Sequence, residues 1–136
     1  VTDSDLRQSR VQWALFGLRL SVFMVMAIWT VDKFVRPQHA AKVYEKFYFI
    51  GGLSHQVVSA IGVAELLLLL LFVAGIQKRL TTGIVLVLHT VSTLSSFQQY
   101  LDPFTGPNLL FFAAWPMLAA IATLYVLRDE DTLYSR

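Results

Sequence analysis

Arg19, Glu65 and His89 are the residues best placed to do chemistry in this chain, because each interrupts a long apolar run. Glu65 is the sharpest case, since it opens "ELLLLLLFVAG", in which six leucines follow without a break. An ionised carboxylate in such a run costs about 3 kcal/mol on insertion scales unless it is paired or faces a polar cavity. His55, Ser59, Gly62 and Glu65 share one arc of a helix at 100° per residue. Small residues on that arc let another backbone approach, so it should face other helices and not lipid. Two cations can answer the acid. Side chains lean toward their helix N-terminus, so in antiparallel neighbours Glu65 and Lys33 lean toward each other. Arg19 leans away, and would reach Glu65 only if the helices were offset. A protonated or water-bonded Glu65 is the third alternative. Arg19, two turns into its run, also reads as a residue snorkelling to phosphates.

His89 heads a polar stripe with Ser92, Thr93 and Ser96 at i+3, i+4 and i+7. Such a stripe can hydrogen-bond across helices without any chemistry, and a proton-transfer or ligand role is the alternative. Bis-histidine haem would need a second histidine at matching depth, and His39 and His55 both fall near a boundary. Met24 and Met26 are spaced like a soft-metal pair, but in an apolar helix they read as packing. No metal site is assigned. The sequence contains no phosphate loop, zinc spacing, nucleophile elbow or Ser–His–acid arrangement. Its basic residues form no nucleic-acid stripe. In "FQQYLDPF", Phe97, Gln98, Tyr100 and Phe104 mix aromatic and amide groups that could hold a flat head group such as a quinone. Aromatic residues are also expected at any membrane boundary. No cofactor is assigned beyond that possibility.

The elements that must position these residues are apolar helices. The 136 residues are 56% hydrophobic and 15% charged, against about 25% charged in soluble domains. Four apolar stretches, near 11–31, 56–76, 82–98 and 108–127, each approach the length needed to cross a bilayer as a helix. They lack the alternation of barrel strands. The expectation is an all-α, single-domain integral membrane four-helix bundle. Between the first two stretches, "PQHAAKVYEKFYFIGGLS" is too polar to span. Its Val43, Phe47 and Ile50 recur at helical spacing, which predicts a short amphipathic helix in the interface, ended by Gly51-Gly52. A re-entrant segment is the alternative. Asp102-Pro103 and Gly106-Pro107 mark a turn, and Trp115-Pro116 predicts a kink in the last helix. Residues 1–10 read as an exposed polar cap, and "RDEDTLYSR" as a solvated tail.

The first stretch is too long for a signal-peptide core, and no small-x-small cleavage pattern follows it. The opening Val-Thr reads as lacking at least an initiator methionine. With four spans, Arg7, Arg10, Lys78, Arg79, Arg128 and Arg136 share one side, against Lys33, Arg36, Lys42 and Lys46 on the other. The positive-inside rule then puts both termini in the cytoplasm. There is no cysteine, which excludes disulfides, cysteine-ligated iron–sulfur clusters and thiol relays within the chain.

The chain resembles the DoxX-like family of small four-helix membrane proteins. The residues that carry the resemblance are Arg19, Lys33 with Pro37, then Gly62, Glu65, Leu66, Gly75 and Arg79, with His89 compatible. It extends from about residue 15 to residue 127. One departure is that Val31-Asp32 precede Lys33 where the family usually has glycine. The resemblance implies a bacterial or archaeal cytoplasmic membrane and a link to redox metabolism, since the family includes a subunit of a thiosulfate:quinone oxidoreductase and partners of oxidative-stress enzymes. Absence of cysteine argues against disulfide exchange.

The expected role is a small membrane subunit of a quinone-linked redox complex, a respiratory-chain type of assembly. It would anchor a catalytic partner among other membrane subunits and would not be an enzyme alone. Glu65, Lys33, Arg19 and His89 are its functional candidates. A purely structural accessory or assembly subunit is the second reading, and a small transporter the third, since mid-membrane acids and histidines line pathways. Nucleic acid is not an expected partner.

Overall fold

The computed structural model describes residues 2–135, and they are helical almost throughout. Helix α1 spans Asp3–Val35, α2 Pro37–Tyr48, α3 His55–Val73, α4 Lys78–Ser95 and α5 Phe97–Leu101; a 3₁₀ helix over Asn108–Ala113 continues into α6, Ala114–Val126. Three helical stretches are long and apolar enough to cross a membrane: Asp3–Val35, His55–Val73 and Asn108–Val126. Most of their side chains face outward, including Met24, Ile28, Leu67, Leu110 and Val126. An apolar exterior of this kind is compatible with an integral membrane protein.

Local chemistry sets the helix limits. Thr2 caps α1 through a capping box with Asp5, so the helix begins well before the apolar run does. The N-terminal segment is exposed, as expected, but helical. Arg36 breaks the chain between α1 and α2, and Pro37 occupies the first position of α2, where its missing N–H has no intrahelical partner. Helix α2 ends on Phe49 in the left-handed conformation, with φ 58°, before the glycine pair expected to stop it. Ile50 therefore falls outside the helix.

Helix α4 differs from the other long helices. It runs over Lys78–Ser95 and buries Thr81, Thr82, His89 and Thr93 along with Val85. It also opens on Lys78-Arg79, and it is not among the three spanning candidates. The expected kink at Pro116 takes another form. Ahead of it the chain is 3₁₀ helix, and α geometry starts at Ala114. Pro116 thus sits in the first turn of α6, where a donor is dispensable.

Helix α1 packs against α3 and α6, and α4 against α6 and α3, while α2 lies across α1, α3 and α4. Between the long helices, Leu15, Val22, Leu69, Phe72, Val85, Ile121 and Leu124 form the core. Gly62 of α3 leaves room for the Phe34 ring of α1: a Cβ there would lie 2.8 Å from it.

The C-terminal segment overturns the expectation of a solvated tail. Asp131 is 2% exposed. It accepts from Arg19 Nη1 at 2.9 Å, and Arg19 Nη2 donates to the carbonyls of Leu133 and Tyr134. Lys78 donates to the Asp131 carbonyl, and Gln12 to Thr132 Oγ1 at 2.8 Å. Gly75, at φ +70°, completes the seat, because a Cβ there would lie 2.2 Å from Ser135 Cβ. Arg19 consequently does not snorkel: a carboxylate brought in from the far end of the chain holds it inside.

Asp131→Asn should leave a buried guanidinium without its carboxylate and cost about 3 kcal/mol, seen as a lower unfolding midpoint of the detergent-solubilised protein. Replacing both residues with leucine should recover most of that loss. An unchanged midpoint for Asp131→Asn would mean the tail is undocked in solution.

Candidate functional site

Glu65 lies halfway along α3, and groups from two other elements converge on it. Lys33 Nζ donates to Glu65 Oε2 at 2.9 Å; Thr30 Oγ1 lies 3.3 Å from the same oxygen, its single proton shared with the Met26 carbonyl at 2.9 Å. Lys33 and Thr30 come from the last turns of α1, where a spacing of three residues puts them on one face. From α2, the Tyr44 hydroxyl donates to Glu65 Oε1 at 3.3 Å. Lys33 Nζ also lies 5.9 Å from the centre of the Tyr44 ring. Of the two cations the sequence offers, Lys33 answers the acid, and Arg19, midway along α1, is engaged by Asp131.

The Lys33 and Glu65 side chains remain 12% and 25% exposed. The cluster is therefore reachable from the surface of this chain. Its neighbourhood is apolar, so each polar contact counts for more than it would in water. Chemically it offers a carboxylate next to an ammonium and a phenol, a set that can accept, hold or pass a proton. Burial first, and then the Glu65 carboxylate and Tyr48, raise the Tyr44 phenol above its ordinary value.

His89 stands apart from this cluster. It is 2% exposed, and its Nε2 donates to the Ala114 carbonyl at 2.9 Å. Its Nδ1 is buried without a partner. The Trp29 ring lies nearly parallel to the imidazole, at 16° and 6.5 Å. The rest of the expected stripe is used differently. Thr93 and Ser96 turn back to carbonyls of their own helix, and of the three only Ser92 bonds across, to the Tyr48 hydroxyl.

The four residues considered for a quinone head group differ in their exposure. Phe97, Gln98 and Phe104 are exposed, Phe104 at 88%. Tyr100 turns inward onto Phe112 and Trp115, with ring centroids at 5.2 and 5.6 Å. Of the segment's two glutamines, Gln99 is the buried one. The arc proposed for α3 is only partly inward: Gly62 is buried and Ser59 half-buried, but His55 is exposed. Among the described residues no three metal-ligating side chains come together.

Sequence reasoning missed Thr30, Tyr44, Trp29 and Asp131. For Thr30 a signal existed, since it shares a helix face with Lys33 three residues on. Tyr44 lies on the amphipathic helix, but its distance from Glu65 depends on how α2 folds back. Nothing in "RDEDT" singles out Asp131.

The raised Tyr44 phenol gives a pH dependence with a definite sign. Folding favours its neutral form, so its contribution is complete below the ordinary phenol pKa of about 10 and is lost as pH rises past it. Chemical unfolding across this range should show the wild type losing stability more steeply than Tyr44→Phe above about pH 10. Parallel curves would mean that the phenol is neither buried nor beside Glu65.

Comparison with known proteins adds nothing to this geometry: no protein-family model, no curated protein and no solved structure matches the chain.

Proposed function

We propose that this chain is a small integral membrane subunit of a quinone-linked redox complex, anchoring a catalytic partner in a bacterial or archaeal cytoplasmic membrane. In this reading α1, α3, α4 and the 3₁₀–α6 segment cross the bilayer as a four-helix bundle. Helix α2 lies in the outer interface, and both termini are cytoplasmic. Helix α4 tolerates its polar residues because it turns them inward, toward its neighbours.

One observation carries the redox part of the reading. A carboxylate halfway along an apolar helix is joined to an ammonium and a phenol, yet a quarter of its side chain stays exposed. A partner covering that surface would meet a proton-handling group already positioned by three elements. The resemblance to DoxX-like proteins points toward the same class of complex. No catalytic centre is required of this chain alone.

A second reading, a purely structural assembly subunit, is favoured by one further observation: both oxygens of Glu65 already have partners within the chain. A cluster so complete can serve only to fix helix register.

The two readings separate on Glu65→Gln in the native complex, isolated in gentle detergent so that its partners are identified. A proton or quinone role predicts normal assembly with turnover per complex lowered at least about tenfold. The structural role predicts unchanged turnover per complex and a reduced yield. Tyr44→Phe, a smaller perturbation, should follow the same pattern.

A further inference from the structure

An open cleft of about 390 Å³ lies at the end of the molecule opposite the Glu65 cluster, lined by Gln77, Lys78, Arg79, Arg128 and Asp129. It lies between the α3–α4 turn and the end of α6, which supply three cations and one acid. Elsewhere the chain gives its buried cations carboxylates: Arg19 pairs with Asp131 and Lys33 with Glu65. Among the described residues, Lys78, Arg79 and Arg128 pair with none, and Asp129 makes no ion pair either. Like charges held together in this way repel, and an anion between them removes the repulsion.

We propose that this cleft binds the phosphate of an anionic phospholipid head group. The donors are held in place. Arg128 donates from Nη1 to the Tyr125 carbonyl at 2.8 Å and stacks 4.6 Å from the centre of the Tyr125 ring, which fixes its guanidinium. Lys78 spends two of its three protons on the Asp131 carbonyl and Ser135 Oγ, leaving one for a ligand. The first turn of α4 has neither a side-chain cap nor an acid, so its amides add to the attraction. A lipid fits better than a free anion because apolar surface adjoins the charge. Leu80 follows Arg79, Val126 lies two residues before Arg128, and both are well exposed, offering a surface for acyl chains. This inference rests on the membrane reading above, which would put the cleft at the cytoplasmic head-group layer, where anionic lipid attracts basic residues.

The full-length chain, purified in nonionic detergent, is titrated with dihexanoyl phosphatidylglycerol, dihexanoyl phosphatidylcholine or inorganic phosphate, and binding is read from the unfolding midpoint. Phosphatidylglycerol should bind best, and Arg79→Gln with Arg128→Gln should weaken it about 30-fold. Asp129→Asn, an exposed change that spares the fold, should tighten it about fivefold. Equal midpoint shifts with inorganic phosphate would overturn the lipid assignment. Binding indifferent to all three substitutions would overturn the site. Flotation with uncharged phosphatidylcholine vesicles separates the two levels. Flotation without a phosphatidylglycerol preference would overturn the cleft and leave the membrane reading intact. Failure to float would overturn both.

Discussion

A carboxylate halfway along an apolar helix has to be met by something, and in this protein the Lys33 ammonium meets it at 2.9 Å. Much of the architecture follows from that contact. Lys33 must lie within reach of Glu65, so the last turns of α1 are drawn against the middle of α3. Beside that contact Gly62 leaves room for the Phe34 ring. Helix α2 must then fold back over the junction, since its Tyr44 supplies the remaining bond to Glu65. In lipid, apolar surface gives helices no preference for one another over acyl chains. Polar contacts and close packing therefore decide which helices meet, and at what height.

Midway along α1 sits a second lock of the same kind. Arg19 and Asp131 form a pair with side chains 1% and 3% exposed. The two locks are separated by about 21 Å of helix at 1.5 Å per residue. Val22 of the aliphatic core lies between them on α1, and Leu15 lies one turn beyond Arg19. Breaking either pair by removing one partner would strand a charge in low dielectric, which costs more than the intact pair contributes. The fold thus depends on a few polar contacts out of proportion to their number. What remains for a partner is the apolar exterior, the half-open Glu65 cluster and the basic cleft near Arg79.

Several elements were legible from residue type and spacing. The apolar runs near 11–31, 56–76 and 108–127 fall on the three long apolar helical stretches, because length and hydropathy alone decide whether a segment can span. The lean of side chains toward helix N-termini was enough to prefer Lys33 over Arg19 for Glu65. Helix α2 was visible in the period of Val43 and Phe47, although its end was not. Phe49 adopts the left-handed turn expected of glycine, which no propensity would suggest. The quinone grouping was drawn from sequence proximity, and the structure spreads its members over different faces. Phe97, Gln98, Tyr100 and Phe104 are close in sequence, but successive positions on a short helix point in different directions.

By itself the sequence determined that the chain is helical, that its helices are apolar enough to be compatible with a membrane, and that a buried acid requires a partner. These conclusions depend on composition and local periodicity, which are properties of short segments. Only the tertiary structure decided that Tyr44 and Thr30 complete the Glu65 cluster, that Trp29 lies parallel to His89, and that Asp131 returns from the far end of the chain to hold Arg19. Each of those contacts joins different helices or distant stretches of chain, and Asp131 and Arg19 are 112 residues apart. Pairing over such separations is set by how the helices pack, and no local pattern encodes it.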